Sequence, residues 1–201
     1  MDCVQENRKI YTESFEKYGD DTKSCLWDRP MIMRYEELYK VGELNHSTIL
    51  DIGCGLGGLY EYFRDDCNVR NMTYKGIDII DGMIQTAAGK FPEADFEVRD
   101  IMTNPLTEKQ GYDYVFLCGI FNRSMETDFM KKMLKEAFSY CKKAMAFNFI
   151  STYVNFTSEE NSYHNPQEIF SYCVENLSRK VSLNHHYAKT DCAVFVYRED
   201  L

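Results

Sequence analysis

The sequence contains no long hydrophobic run, internal repeat or low-complexity segment. No apolar stretch approaches the ~20 residues that span a bilayer, and the charged start MDCVQENRKI has no apolar signal core. The eight cysteines are scattered, with neither a C-x-x-C pair nor a Cys/His cluster at zinc spacing. We therefore expect reduced cysteines, no metal site, no membrane partner and a cytoplasmic location.

Positive charge is also scarce, since 23 Lys and Arg stand against 32 Asp and Glu and leave a net charge of −9. The average field of such a chain repels polyanions, which argues against a nucleic-acid partner. The 201 residues suit one compact domain. Aromatic residues are abundant, with 15 Tyr and 13 Phe, so that some of them are expected to line a binding pocket or a lid.

Short apolar segments alternate with amphipathic helical segments from residue 48 onward. Strands are predicted at 48–52, 74–79, 96–99, 112–118, 144–150, 181–187 and 193–198, and helices at 57–64, 82–90, 126–141 and 165–177. This alternation predicts an α/β, doubly wound, Rossmann-like parallel sheet with its ligand at the strand ends, closed by an antiparallel hairpin. Residues 1–47 are predicted to form a helical cap or lid, and residues 48–201 the main domain.

A glycine-rich turn follows the first predicted strand, in TILDIGCGLGG. Gly53, Gly55 and Gly58 fit the pattern G-x-G-x-x-G, which several adenosine-containing ligands share. Asp51 distinguishes between these ligands. A carboxylate two residues before Gly53 would repel the pyrophosphate of a dinucleotide. The same carboxylate would attract the sulfonium and ammonium groups of S-adenosylmethionine. The turn therefore favours S-adenosylmethionine over NAD as the cofactor.

The ends of the next three predicted strands carry further candidate ligands. Asp78 ends the second strand and can accept hydrogen bonds from both ribose hydroxyls. Asp100 and Ile101 end the third strand, where a carboxylate and an apolar side chain can contact adenine. Gly119 follows the fourth strand, among small and apolar groups that can lie beneath the methionine portion, and Asn122 points to where a substrate would sit.

The segments ILDIGCGLG, YKGIDI, FEVRDI and YDYVFLCGIFN, in this order and spacing, resemble the class I S-adenosylmethionine-dependent methyltransferases, and within them small bacterial methyltransferase-domain proteins. The similarity covers about residues 20 to 198. It implies a seven-stranded, mostly parallel sheet with an antiparallel last strand. It also implies that the cofactor is bound by the Asp51–Gly57 motif with Gly53, Gly55 and Gly57, by Asp78, Ile79 and Met83, and by Asp100 and Ile101.

The resemblance implies transfer of a methyl group by in-line displacement, for which the enzyme mainly aligns the acceptor and excludes water. We expect the acceptor to be a small molecule and the catalytic residues to be His164, Asn122 and Tyr153. His164 is the candidate general base, since an imidazole titrates near neutral pH. Trp27 is predicted to close over the cofactor. No N-P-P-[FY] motif follows the fourth strand, which leaves O-, N- and C-methylation open.

Two other functions remain open at this point. A non-catalytic module that binds S-adenosylmethionine or S-adenosylhomocysteine would carry the same cofactor motifs without transferring a methyl group. An NAD-dependent oxidoreductase would share the glycines and Asp78, but it would explain neither Asp51 nor Asp100. The sequence says nothing about the oligomeric state.

Overall fold

A single seven-stranded sheet organises the chain in the computed structural model, which describes residues 3–26 and 32–199. Its strands are β1 (Thr48–Ile52), β2 (Thr73–Asp78), β3 (Asp95–Val98), β4 (Tyr112–Leu117), β5 (Cys141–Ile150), β6 (Val181–Asn184) and β7 (Asp191–Tyr197). They lie in the order β3-β2-β1-β4-β5-β7-β6, and β7 runs antiparallel to both of its neighbours. The predicted α/β class, with a mostly parallel sheet and an antiparallel last strand, is confirmed.

Within residues 3–26 and 32–199, six α-helices connect or precede the strands of this sheet. They are α1 (Cys3–Tyr18), α2 (Ile32–Tyr39), α3 (Gly58–Glu61), α4 (Asp81–Lys90), α5 (Thr127–Tyr140) and α6 (Pro166–Asn176). A 3₁₀ turn covers Thr22–Cys25, and α3 continues as a π-helical turn over Tyr62–Asp66. Asn165 caps the N-terminus of α6, because its Oδ1 accepts from the backbone amides of Gln167 and Glu168 at 2.9 and 3.3 Å.

Two strand boundaries differ from the predicted ones by three residues, and the others differ by two or fewer. Strand β5 begins at Cys141 rather than at residue 144, because α5 passes directly into the strand and Cys141 pairs with Tyr112 of β4. Strand β6 ends at Asn184 rather than at residue 187. There the Asn184 side chain accepts from the backbone amide of His186 at 3.0 Å, which turns the chain into the loop before β7.

The sheet is buried on both faces, as a parallel sheet covered by helices requires. One apolar cluster lies under α5 and α6 and contains Leu50, Val115 and Phe147. The other, rich in aromatic rings, lies under α2 and α3 and contains Ile49 and Phe116. Successive strand residues thus enter opposite clusters, which fixes the register of the strands.

Helix α1 lies across the carboxyl ends of the strands. The guanidinium of Arg8 donates to the carbonyl of Ile79 at 2.6 Å, just beyond β2. The ring of Phe15 packs so closely on α4 that a Cβ at Gly82 would lie 2.3 Å from it. These contacts hold α1 over the edge where the strand-end loops meet. The predicted division between a cap and a main domain at residue 47 stays a prediction.

The eight cysteines are all free, as expected from their scattered positions. In the part of the chain that the structure describes, no helix is both long and apolar enough to cross a membrane.

Candidate functional site

A cavity opens at the carboxyl edge of the sheet, between the strand-end turns and α1; we call it the first cavity. Most of the residues predicted to bind the cofactor line it: Asp51, Gly53, Gly55, Asp78, Ile79, Met83, Asp100, Ile101 and Gly119. Gly57 lies elsewhere, since a Cβ at this position would face the rings of Phe91 and Phe96 at 3.0 and 3.3 Å. Trp27, the predicted lid residue, lies outside the described residues.

The glycines of the turn after β1 allow a close approach of two chain segments. Gly53 has a φ of +75°, a conformation that side-chain-bearing residues rarely adopt, and a Cβ there would lie 2.2 Å from Cγ2 of Ile120. Gly55 also has a positive φ, of +54°. The backbone of this turn therefore lies directly against the segment after β4 and forms one wall of the first cavity.

Asp51 is a buried carboxyl group with one oxygen satisfied. The hydroxyl of Tyr74 donates to its Oδ2 at 2.5 Å, whereas no group among the described residues donates to its Oδ1. Burial raises the pKa of Asp51 to about 7, although the Tyr74 hydrogen bond acts in the opposite direction. A buried carboxylate oxygen without a partner, in the wall of a cavity, fits a cationic ligand group.

Asp78 holds the turn after β1 and the start of α4 together. Its Oδ2 accepts from the Gly55 amide at 2.9 Å, and its Oδ1 accepts from the Ile80 amide at 3.0 Å. A carboxylate has about four acceptor sites, so each oxygen keeps room for one more donor. Burial raises the pKa of Asp78, and the two backbone hydrogen bonds oppose this rise. The group fits a pair of neighbouring hydroxyls.

The side chains after β3 form the third part of the first cavity. Asp100 accepts from the Met102 amide at 2.9 Å and from the Thr103 hydroxyl at 3.0 Å, so that its carboxylate is oriented by its own turn. Next to it the apolar side chains of Ile101 and Met83 are almost fully buried. A polar acceptor beside an apolar surface suits a flat heteroaromatic ring with an exocyclic amine.

A second cavity adjoins the first on the side of the loop between β5 and α6. Tyr11 of α1 lines both cavities, and Nδ2 of Asn7, in the wall of the first, donates to the carbonyl of Arg123, in the wall of the second, at 3.0 Å. Asn122 also lines the second cavity and is only 2% exposed. Its Oδ1 and Nδ2 find no hydrogen-bonding partner within the described ranges.

Sequence reasoning missed most residues of the second cavity, among them Tyr11 and Arg34. Burial raises the pKa of Tyr11 to about 12, so its hydroxyl stays protonated at neutral pH and can donate a hydrogen bond. Neither residue belongs to a local motif, because α1 and α2 reach the site only through tertiary packing. The aromatic content of the N-terminal segment was the only signal for Tyr11.

A chain of buried hydrogen bonds connects the two cavities. The amide of Gly119 donates to Asn148 Oδ1 at 2.9 Å, and Asn148 Nδ2 donates to Asp191 Oδ1 at 2.9 Å. The same oxygen of Asp191 accepts from Nε of Arg34 at 2.5 Å. This network fixes the end of β4, and with it the wall between the cavities, against α2 and β7.

His164 lies in neither cavity wall and is 1% exposed. Its Nε2 lies 3.1 Å from the Phe121 carbonyl, which can only accept, so Nε2 carries the hydrogen. Its Nδ1 then accepts from the Thr127 hydroxyl at 3.0 Å. Burial lowers the pKa of His164, which keeps the ring neutral. The role of His164 as a general base stays a prediction, and these contacts favour instead a role in holding the loop.

Tyr153 also lies outside both cavity walls. Its side chain is 55% exposed, and its hydroxyl donates to Oε1 of Gln167 at 2.7 Å. Of the three predicted catalytic residues, the structure therefore brings only Asn122 to a cavity next to the predicted cofactor site.

Comparisons with known proteins find similarity to methyltransferases. A family model described as a methyltransferase domain matches residues 49–144. A Mycobacterium tuberculosis protein named "Putative methyltransferase Rv1506c" is 26% identical over 160 residues, which cover 74% of this chain and 92% of that protein.

Solved structures share the fold at low sequence identity. Magnesium protoporphyrin IX methyltransferase from Synechocystis PCC 6803 with bound S-adenosylmethionine aligns with a TM-score of 0.71 at 16% identity, over 99% of this chain and 98% of that one. A phosphoethanolamine N-methyltransferase of Haemonchus contortus in complex with S-adenosylhomocysteine aligns with a TM-score of 0.66 at 12% identity, over 92% and 58%.

Proposed function

We propose, from the premise that this chain belongs to the S-adenosylmethionine-dependent methyltransferases, that it methylates a small molecule bound in the second cavity. The chain is an enzyme of this family and S-adenosylmethionine is its cofactor. The main observation that supports an acceptor site is the position of the second cavity. It adjoins the first through Tyr11 and contains the buried side-chain amide of Asn122, which has no hydrogen-bonding partner among the described residues.

The walls of the first cavity fit the chemical groups of the cofactor. The free Oδ1 of Asp51 would hold the positively charged methionine end, and the remaining acceptor sites of Asp78 would hold the ribose hydroxyls. Asp100 would accept from the adenine amine, with Ile101 and Met83 packed on the ring. A pyrophosphate at the same place would meet the Asp51 carboxylate, which disfavours NAD.

The bound cofactor supplies an electrophilic methyl group on a sulfonium. The residues of this chain orient the acceptor and keep water out, which lowers the barrier for a displacement that needs no activated nucleophile of the protein. Helix α1 covers the strand ends through Arg8 and places Tyr11 between the cavities. We assign to Asn122 the orientation of the acceptor and to His164 the positioning of the segment that carries Asn122.

Calorimetric titration with S-adenosylmethionine, S-adenosylhomocysteine and NAD tests the cofactor residues. We expect the first two to bind and NAD not to bind. We expect Asp78→Ala to weaken both by roughly 100-fold or more, because two hydrogen bonds to an ionised group are worth about 1.5–3 kcal/mol each. Asp81→Ala is the matched control, since Asp81 begins α4 nearby but bonds only to exposed Gln85. Equal weakening by both substitutions would contradict the assignment.

The acceptor class is tested by the release of S-adenosylhomocysteine in the presence of a panel of small molecules. We expect turnover with at least one small molecule and loss of turnover, with unchanged cofactor affinity, in Asn122→Ala. Transfer confined to protein or nucleic-acid substrates would refute the proposal that the acceptor is a small molecule.

A further inference from the structure

The walls of the second cavity contain two guanidinium groups although the chain as a whole is acidic. Arg34 and Arg123 both line this cavity, and its described lining residues include no Asp or Glu. The net charge of the whole chain is −9, so that two guanidinium groups facing one cavity run against the average composition. A local field of this sign attracts an anionic ligand.

The two arginines differ in how firmly their carboxylate partners are held. Arg34 and Asp191 are joined at 2.5 Å, with side chains only 8% and 6% exposed, inside the hydrogen-bond network described above. Arg123 lies 2.9 Å from Glu160, whose side chain is 70% exposed. An ion pair with such an exposed partner is weak and screened by salt. Arg123 can therefore exchange Glu160 for the anionic group of a ligand, whereas Arg34 stays in place.

Two hydrogen bonds hold the backbone at Asn122 and Arg123 in place. Its carbonyl accepts from Asn7 Nδ2 at 3.0 Å, and the preceding carbonyl, of Asn122, accepts from the Ser162 amide at 2.9 Å. The side chain of Asn122 is 2% exposed and brings an amide without a partner among the described residues into the same wall. A buried amide of this kind is costly unless a ligand supplies its hydrogen bonds.

The remaining surface of the second cavity includes aromatic rings. Tyr11 and Tyr163 line it, together with Phe156, whose side chain is 70% exposed. Aromatic walls next to a guanidinium suit a ligand with a flat or apolar body and one charged end.

From these observations we propose that the acceptor carries an anionic oxyacid group, a carboxylate or a phosphate, which Arg123 binds in place of Glu160. Asn122 then bonds a polar group of the same acceptor. This inference rests on the proposed function, in which the second cavity holds the methyl acceptor. A guanidinium suits either anion because its N–H groups form a planar fork that matches two oxygens at once.

The test uses matched probes on the protein saturated with S-adenosylhomocysteine. Benzoate, phenyl phosphate and benzamide are titrated by calorimetry into wild type, Arg123→Gln and Arg179→Gln. Arg179 is the control, because its guanidinium pairs with partly exposed Glu199 and lies in neither cavity wall. We expect at least one of the two anions to bind 10-fold or more tightly than benzamide, and the tighter anion to identify the oxyacid.

This preference should disappear in Arg123→Gln, persist in Arg179→Gln and be partly restored in Arg123→Lys. Equal binding of benzamide and both anions, the absence of binding by both anions, or an unchanged preference in Arg123→Gln would each overturn the proposal. The affinity for S-adenosylhomocysteine, measured separately on the ligand-free proteins, should be unchanged in Arg123→Gln. Methyl transfer to neutral acceptors alone would leave the proposed function intact while it refuted the anionic acceptor.

Discussion

The affinity for S-adenosylmethionine should rise with pH through the titration of Asp51. Burial raises the pKa of this carboxyl to about 7, so the group is largely protonated in the ligand-free protein at mildly acidic pH. The positively charged end of the cofactor would be attracted only to the ionised form. Binding below neutral pH must therefore release a proton from Asp51, and this release weakens the observed affinity.

The size of the effect follows from the ionised fraction. With a pKa of about 7, about 3% of Asp51 is ionised at pH ~5.5 and about 75% at pH ~7.5. If the bound state keeps Asp51 ionised throughout, affinity rises roughly 25-fold over this range, or about 1.9 kcal/mol. Calorimetry in two buffers of different ionisation enthalpy should also detect about one proton released at the lower pH.

The variant Asp51→Asn should bind the cofactor more weakly at neutral pH and lose this pH dependence. The control Asp65→Asn should keep it, since Asp65 is an exposed residue paired with Arg64 on the surface. An affinity of the wild type that stays constant between pH ~5.5 and ~7.5 would refute the reasoning. So would an equal slope in Asp51→Asn.

The same pKa also has a consequence for the stability of the ligand-free protein. Because the pKa of Asp51 is higher in the folded than in the unfolded chain, the folded protein binds the additional proton. The stability from this site is fully present below about pH 4 and is lost as the pH rises through about 7. The cofactor should therefore bind most tightly at the pH at which ionised Asp51 in the empty site contributes least to the stability of the folded protein.

Two further substitutions test the glycine turn and the buried histidine. Gly53→Ala places a Cβ 2.2 Å from Ile120 Cγ2 at a φ of +75°. It should cost about 1–3 kcal/mol in the free energy of unfolding and weaken S-adenosylhomocysteine binding more than 10-fold, as thermal unfolding and calorimetry can measure. His164→Ala should also cost about 1–3 kcal/mol. The lowered pKa of His164 predicts that wild-type stability falls as the pH drops below about 6.5, and this component should be absent from the variant.

The parts of the site that the sequence predicted lie where strands end. Strand β1 has the predicted bounds Thr48–Ile52, and Asp51, Asp78 and Asp100 all reach one cavity. Such residues can be placed from sequence because the carboxyl ends of parallel strands lie at a single edge of the sheet. The apolar pattern of a strand lies within a few consecutive residues, so the end of the strand can be identified from those residues alone.

The parts that the sequence did not predict depend on contacts between distant segments. Arg34 and Asp191 are 157 positions apart in the sequence, and no sequence pattern near either residue predicts their contact. His164 lies in the polar loop before α6. This loop pairs with Ser151 just after β5, and His164 is buried there. Tyr153, two residues after Ser151, remains at the surface, where its hydroxyl donates to Gln167.

On the assignments proposed above, the charged residues of the two cavities favour different ligands. The first cavity carries the carboxylates of Asp51 and Asp78, which would repel an anionic acceptor. The second carries the guanidiniums of Arg34 and Arg123, which would repel a cationic sulfonium. Discrimination between two ligands is a difference of affinities, and repulsion at the wrong site contributes to it as much as attraction at the right one. Replacing Arg123 by Glu should therefore do more than weaken an anionic acceptor, because it would remove the barrier that keeps cationic molecules out of the second cavity.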